Sequence, residues 1–106
     1  MNPRCLVILA VLTFIGTTAA IAADPDGAAL FKSCAACHGA DGAGQTPVGK
    51  TMKVRDLRSA DVQKQTDIEL MKVIAGGKGK MPAYGKKMTT AEIMAVIAYM
   101  RTLKSE

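Results

Sequence analysis

Tryptophan is missing from the 106-residue chain, and only four aromatic residues are present: Phe14, Phe31, Tyr84 and Tyr99. So few rings allow only a thin apolar core, and they offer no interleaved aromatic platform for nucleic acid. Histidine occurs once, at His38, and cysteine three times, at Cys5, Cys34 and Cys37. No segment alternates apolar and polar residues long enough to make a convincing strand, and no internal repeat or low-complexity tract is present. The length excludes a large multi-step enzyme. The carboxylates (Asp24, Asp26, Asp41, Asp56, Asp61, Asp67, Glu69, Glu92 and Glu106) fall mostly at helix starts or in charged loops. They form no recognisable catalytic dyad, so the chain is not expected to be an enzyme.

Apolar residues make up 49% of the chain but are concentrated at its start. Arg4 is followed by an apolar run from Cys5 to Ile15, and small residues then lead to Ala20-Ile21-Ala22-Ala23. This is the pattern of a secretory signal peptide over residues 1–23, with cleavage after Ala22 or Ala23. The alternative is an uncleaved membrane anchor, since residues 5–23 approach the length of a membrane span. Removal of the leader takes Cys5 and Arg4 with it. An 83-residue domain remains, residues 24–106, with 13 basic against 9 acidic side chains and a net charge of +4. A basic exported domain of this size needs something beyond its own side chains to complete a core.

The remaining chain reads as all-α. Asp24-Pro25-Asp26 looks like a helix start, with Asp24 as cap and Pro25 in the first helical position. Leu30, Phe31 and Cys34 then share a face. Gly39 to Lys53, with four glycines and Pro47, reads as an extended loop. Ser59-Ala60-Asp61-Val62 fits one helical turn. Thr66-Asp67-Ile68-Glu69 and Thr89-Thr90-Ala91-Glu92 are capping boxes, the first opening a helix that Gly76-Gly77 ends. Behind the second, Ile93, Val96, Ile97, Met100 and Leu103 form an apolar stripe.

The sharpest signal is Cys34-Ala35-Ala36-Cys37-His38. C-x-x-C-H is the attachment pattern of c-type haem. Two thiols at this spacing reach the two vinyl groups on one porphyrin edge, and the next residue turns its imidazole onto the iron. Three other readings compete. A disulfide across so short a loop would constrain little, a thioredoxin-like site would need a βαβ setting, and a structural zinc would need a fourth ligand. One covalent haem c is therefore expected, with Cys34 and Cys37 as thioether carriers and His38 on the iron.

Six methionines remain as candidates for the opposite face of the iron: Met52, Met71, Met81, Met88, Met94 and Met100. Most are explained as core filling. Met81 stands apart in Gly76-Gly77-Lys78-Gly79-Lys80-Met81-Pro82-Ala83-Tyr84, where glycines let the backbone lie close to a flat ring and Pro82 stiffens the chain beyond the sulfur. Met81 is the expected ligand, with Met52 and Met88 as alternatives.

These features together resemble the class I c-type cytochromes over essentially the whole domain. Gly27 and Phe31 resemble that family's glycine and aromatic pair, and Gly79 to Tyr84 its distal methionine loop. Val96-Ile97-Ala98-Tyr99 is similar to the aromatic stretch of its last helix. The resemblance implies a cytochrome c fold whose first and last helices cross at Gly27. It also implies that the Pro47 carbonyl accepts the second N–H of His38.

A histidine and a methionine together would saturate the iron, which suits outer-sphere electron transfer. The resemblance implies the same role: a soluble, monomeric periplasmic carrier between larger redox partners. The alternatives are an open-iron gas sensor or weak peroxidase, and a dedicated electron-accepting subunit of a periplasmic dehydrogenase. Lys78, Lys80, Lys86 and Lys87 flank Met81, and Lys50, Lys53, Arg55 and Arg58 flank the other long loop. These are either a solvated face or a positive ring that steers an acidic partner protein.

Overall fold

Asp26 starts the first helix. Its side chain accepts the Ala29 N–H at 3.2 Å, and α1 runs Gly27–Phe31. The expected cap, Asp24, lies two residues too early, and Pro25 precedes the helix instead of opening it. After Phe31 the chain tightens: Lys32, Ser33 and Cys34 donate three residues back, and α2 follows as Ala35–His38. The computed structural model describes residues 24–103 and positions 11, 13 and 15–17. Apart from those positions, the leader assigned to residues 1–23 lies outside the described residues.

The segment from Gly39 to Lys53 contains a helix, contrary to the extended loop expected from its glycines. Thr46 caps α3, Pro47–Met52, through the Gly49 N–H at 2.9 Å, and Pro47 occupies the first turn. A capping threonine followed by a proline at the first helical position outweighs one interior glycine. Ser59 then caps the single turn α4, Ala60–Gln63. Both capping boxes form as read. Thr66 and Glu69 open α5, Asp67–Gly76, and Thr89 and Glu92 open α6, Thr90–Thr102. The Thr66 N–H bond holds the Glu69 carboxyl below the usual carboxylate range. That cap is complete at neutral pH and is lost as pH falls through the lowered value. Among the described residues the only β pairing is one isolated bridge, Lys78 with Met81.

The apolar stripe of α6 is the centre of the fold. Ile93, Val96, Ile97 and Met100 are all buried, and Ile97 is the most completely enclosed at 1% exposure. Val62 and Leu70 join Ile93, Ile97 and Met100 in one cluster, with Met71, Met88 and Met94 packed on its margin. Arg101 ties the turn between α4 and α5 to α6. It donates to the Gln63 carbonyl at 2.7 Å and the Gln65 carbonyl at 2.6 Å, and pairs with Asp67 at 2.8 Å.

On the other side α1 packs against α6. A Cβ placed on Gly27 would lie 2.1 Å from the Ala95 carbonyl oxygen, so the helices meet backbone to backbone at that residue. Phe31 and Tyr99 close the same contact with ring centroids 5.3 Å apart. Gly27→Val should therefore force α1 off α6 and lower the unfolding free energy by about 1–3 kcal/mol. Denaturant titration of the haem-loaded protein checks this, and an unchanged midpoint would contradict the crossing.

Candidate haem site

The C-x-x-C-H motif sits where α1 gives way to α2. Cys34 caps α2 without a side-chain bond, Cys37 and His38 form its last turn, and Gly39 ends it at φ 79°. All three site side chains are half-buried, and neither cysteine is in a disulfide. Burial raises the Cys34 thiol above its ordinary value, and the neighbouring Cys37 adds to the rise. Burial also lowers the His38 imidazole, so it is neutral at pH 7 with a lone pair to offer.

His38 Nδ1 is buried and has no hydrogen-bond partner, the one such side-chain atom among the described residues. Among the described residues no three His, Cys, Asp or Glu side chains are placed to hold a metal ion together, so a zinc site would lack its ligands. Two unpaired thiols beside a neutral imidazole on one helical end fit a haem held at its vinyl edge and ligated from the same turn.

Backbone bonds fix this turn closely. The His38 N–H reaches the Cys34 carbonyl at 2.9 Å, and the His38 carbonyl takes the Gly44 N–H at 2.7 Å. Thr46 Oγ1 donates to the Cys37 carbonyl at 2.9 Å. Sequence reading missed Thr46, although Thr46-Pro47 carries a helix-start signal. His38 Nδ1 and the Pro47 carbonyl share no hydrogen bond in this structure, and Nδ1 keeps its capacity for one. Pro47 opens α3, and its carbonyl accepts the Thr51 hydroxyl at 3.0 Å, which leaves a second lone pair for another donor.

The Met81 loop is closed on itself. Lys78 and Met81 exchange N–H and carbonyl bonds at 3.2 and 2.9 Å, and Gly77 and Gly79 both take positive φ. A Cβ on Gly77 would come within 2.8 Å of the Met81 carbonyl oxygen. The loop's far end is tied to α5 through Tyr84 to the Ile74 carbonyl at 2.9 Å and Gly85 to that of Ala75 at 3.0 Å. Burial and then the charges of Cys34 and Cys37 raise the Tyr84 phenol. Met81 is half-buried and outside the core cluster, whereas Met88 packs on it and Met52 is 41% exposed on α3.

A family profile described as cytochrome c oxidase, cbb3-type, subunit III matches residues 22–100. The chain belongs to this c-type cytochrome family. Its relatives of similar length include a cytochrome c-553 of Nitratidesulfovibrio vulgaris, 34% identical over 94% of this chain and 98% of that one. A cytochrome c6 of Synechococcus sp. is 33% identical over 90% of this chain and 83% of its own. Among solved structures, the KustC0563 c-type cytochrome superposes with a TM-score of 0.70 at 30% identity. It covers 76% of this chain and 99% of its own. The cytochrome thus has the all-α fold of its family, binds haem c covalently with its iron, and transfers electrons through it. It works with redox partners, and none of its described helices is long and apolar enough to cross a membrane.

Proposed function

We propose that Cys34 and Cys37 would carry the haem through two thioethers, that His38 and Met81 would hold its iron, and that a site closed in this way makes this cytochrome an exported one-electron shuttle and not an enzyme. The observation that carries this reading is the half-buried Cys34–His38 turn, whose two thiols are unpaired and whose His38 Nδ1 has no partner, in a chain whose half-buried Met81 sits in a loop closed by its own backbone bonds. When bound, the haem supplies one-electron chemistry through its ferrous and ferric states. The thioether of Met81, a soft ligand, would complete the iron's ligand set and raise the reduction potential relative to a second nitrogen ligand. With His38 and Met81 both engaged, neither dioxygen nor peroxide has a position to enter. Residues 1–23 direct export to the periplasm and are then removed, leaving residues 24–106 as a soluble monomer.

The partner is proposed to be acidic at its contact surface. Lys78, Lys80, Lys86 and Lys87 around Met81, and Lys50, Lys53 and Arg55 at and beyond the end of α3, are exposed. None of the seven forms an ion pair among the described residues, whereas Arg58 is held by Asp56 at 3.0 Å and drops out of the ring. Unpaired cations on this scale steer association with an anionic surface. Reduction by flavodoxin, an acidic one-electron donor, should slow by roughly tenfold between about 10 mM and 0.3 M salt. A salt-independent second-order rate would remove the steering, and multiple turnovers with hydrogen peroxide by the native protein would overturn the carrier reading itself.

A further inference from the structure

The peptide unit that joins Cys37 to His38 links an attachment cysteine directly to the iron-binding histidine. Its orientation decides where the imidazole points. The structure pins this unit at both ends: the His38 N–H bonds the Cys34 carbonyl at 2.9 Å, and the Cys37 carbonyl accepts the Thr46 hydroxyl at 2.9 Å. The first bond belongs to α2 and would form in any helix of this length. The second comes from a side chain nine residues away, and among the hydrogen bonds of the described residues it is the one made by a side chain to this motif.

Thr46 is placed for this by a second bond. The same oxygen accepts the Gly49 N–H at 2.9 Å, so the hydroxyl caps α3 while its proton goes to Cys37. A hydroxyl suits this double role because it is both donor and acceptor. The approach also requires Gly49. A Cβ there would fall 2.3 Å from the Cys37 carbonyl oxygen and 2.9 Å from Thr46 Oγ1. The Gly44 N–H, on the same loop, donates to the His38 carbonyl at 2.7 Å.

We infer that Thr46 is a positioning residue for the proximal ligand: its hydroxyl, seated by Gly49, clasps the Cys37 carbonyl and thereby fixes the direction in which His38 presents its imidazole to the iron. The inference rests on His38 as the proximal ligand. A misdirected imidazole lone pair stabilises the ferric state less, because the ferric ion carries the larger charge and gains more from that lone pair. Releasing the clasp therefore favours the ferrous form.

The test compares Thr46→Val, Thr46→Ser, Gly49→Ala and Thr66→Ala with the native cytochrome by potentiometric titration and thermal unfolding. Thr46→Val and Gly49→Ala should shift the one-electron equilibrium towards the ferrous form at least threefold, an upward displacement of about 30 mV at 59 mV per tenfold. Thr46→Ser should keep the native potential. Thr66→Ala removes a helix cap far from the motif, so it should lose stability with the potential unchanged. A native potential in Thr46→Val, with only the stability loss of Thr66→Ala, would overturn the inference. If that variant does not accumulate, the native protein decides by proton exchange. A Thr46 hydroxyl proton exchanging with water as freely as that of exposed Thr90 would also overturn it. A native protein without a histidine-ligated c-type spectrum would instead remove the ligand assignment beneath the inference.

Discussion

Met81→Ala should erase the long-wavelength sulfur-to-iron absorption band, open the reduced iron to carbon monoxide and lower the reduction potential. The expected fall is on the order of 0.1–0.3 V, within the ~0.8 V over which axial ligands move haem potentials. The effect should be this large because no other methionine is held in the same way. Met88 is committed to the margin of the core cluster, and Met52 is exposed at the end of the short helix α3. Reaching the iron from either position would mean unpacking a helix end. The Lys78–Met81 bridge and the two backbone bonds to α5 give the Met81 loop a defined shape. A variant that kept the band would transfer the role to Met52 or Met88.

Replacing both attachment cysteines by serine, Cys34→Ser with Cys37→Ser, should produce an exported chain that holds no covalent haem and has lost most of its far-ultraviolet helical signal. Eight apolar side chains are buried among the described residues, and one of these is Ala43. A core of that size sits at the edge of what sustains a folded domain, so the covalent haem must supply part of the interior. Three helices have six residues or fewer beyond α1 and cannot persist without tertiary packing. Circular dichroism and protease digestion of the serine variant check the expectation. Native-like helicity and protease resistance would mean that the protein core suffices alone.

The parts of the fold legible in the sequence are those set by local chemistry. Each capping box is a threonine and a glutamate three residues apart, and both form because the bonds they make are internal to one turn. The stripe from Ile93 to Met100 gives the buried face of α6 for the same reason, since 3.6-residue periodicity needs no knowledge of the partner. C-x-x-C-H is legible because two thioethers and a ligand on one haem edge leave almost no freedom of spacing. Resemblance places Gly27 at the helix crossing, and the 2.1 Å that would separate a Cβ there from the Ala95 carbonyl oxygen gives that placement a physical reason.

What sequence reading missed depends on competition between signals or on distant partners. Asp24 and Asp26 are equally good caps in isolation, and the bond to Ala29 selects the second. Gly39, Gly42 and Gly44 do take positive φ, as a loop requires. Gly49 does not; it is a helical residue whose missing side chain lets α3 touch Cys37. Composition alone treats all four alike. The Pro47 carbonyl accepts the Thr51 hydroxyl within α3, a bond that depends on the helix Thr46 caps and that composition does not announce. Thr46 acts on a carbonyl nine positions away, a contact that only the folded loop creates.

The central claim is a closed iron between His38 and Met81, and an absorption spectrum of the exported native protein tests it most directly. It should be recorded oxidised, reduced, and reduced with carbon monoxide. The account predicts a c-type spectrum with the sulfur-to-iron band in the oxidised form and no change on adding carbon monoxide. Rapid carbon monoxide binding to the native reduced protein would contradict it.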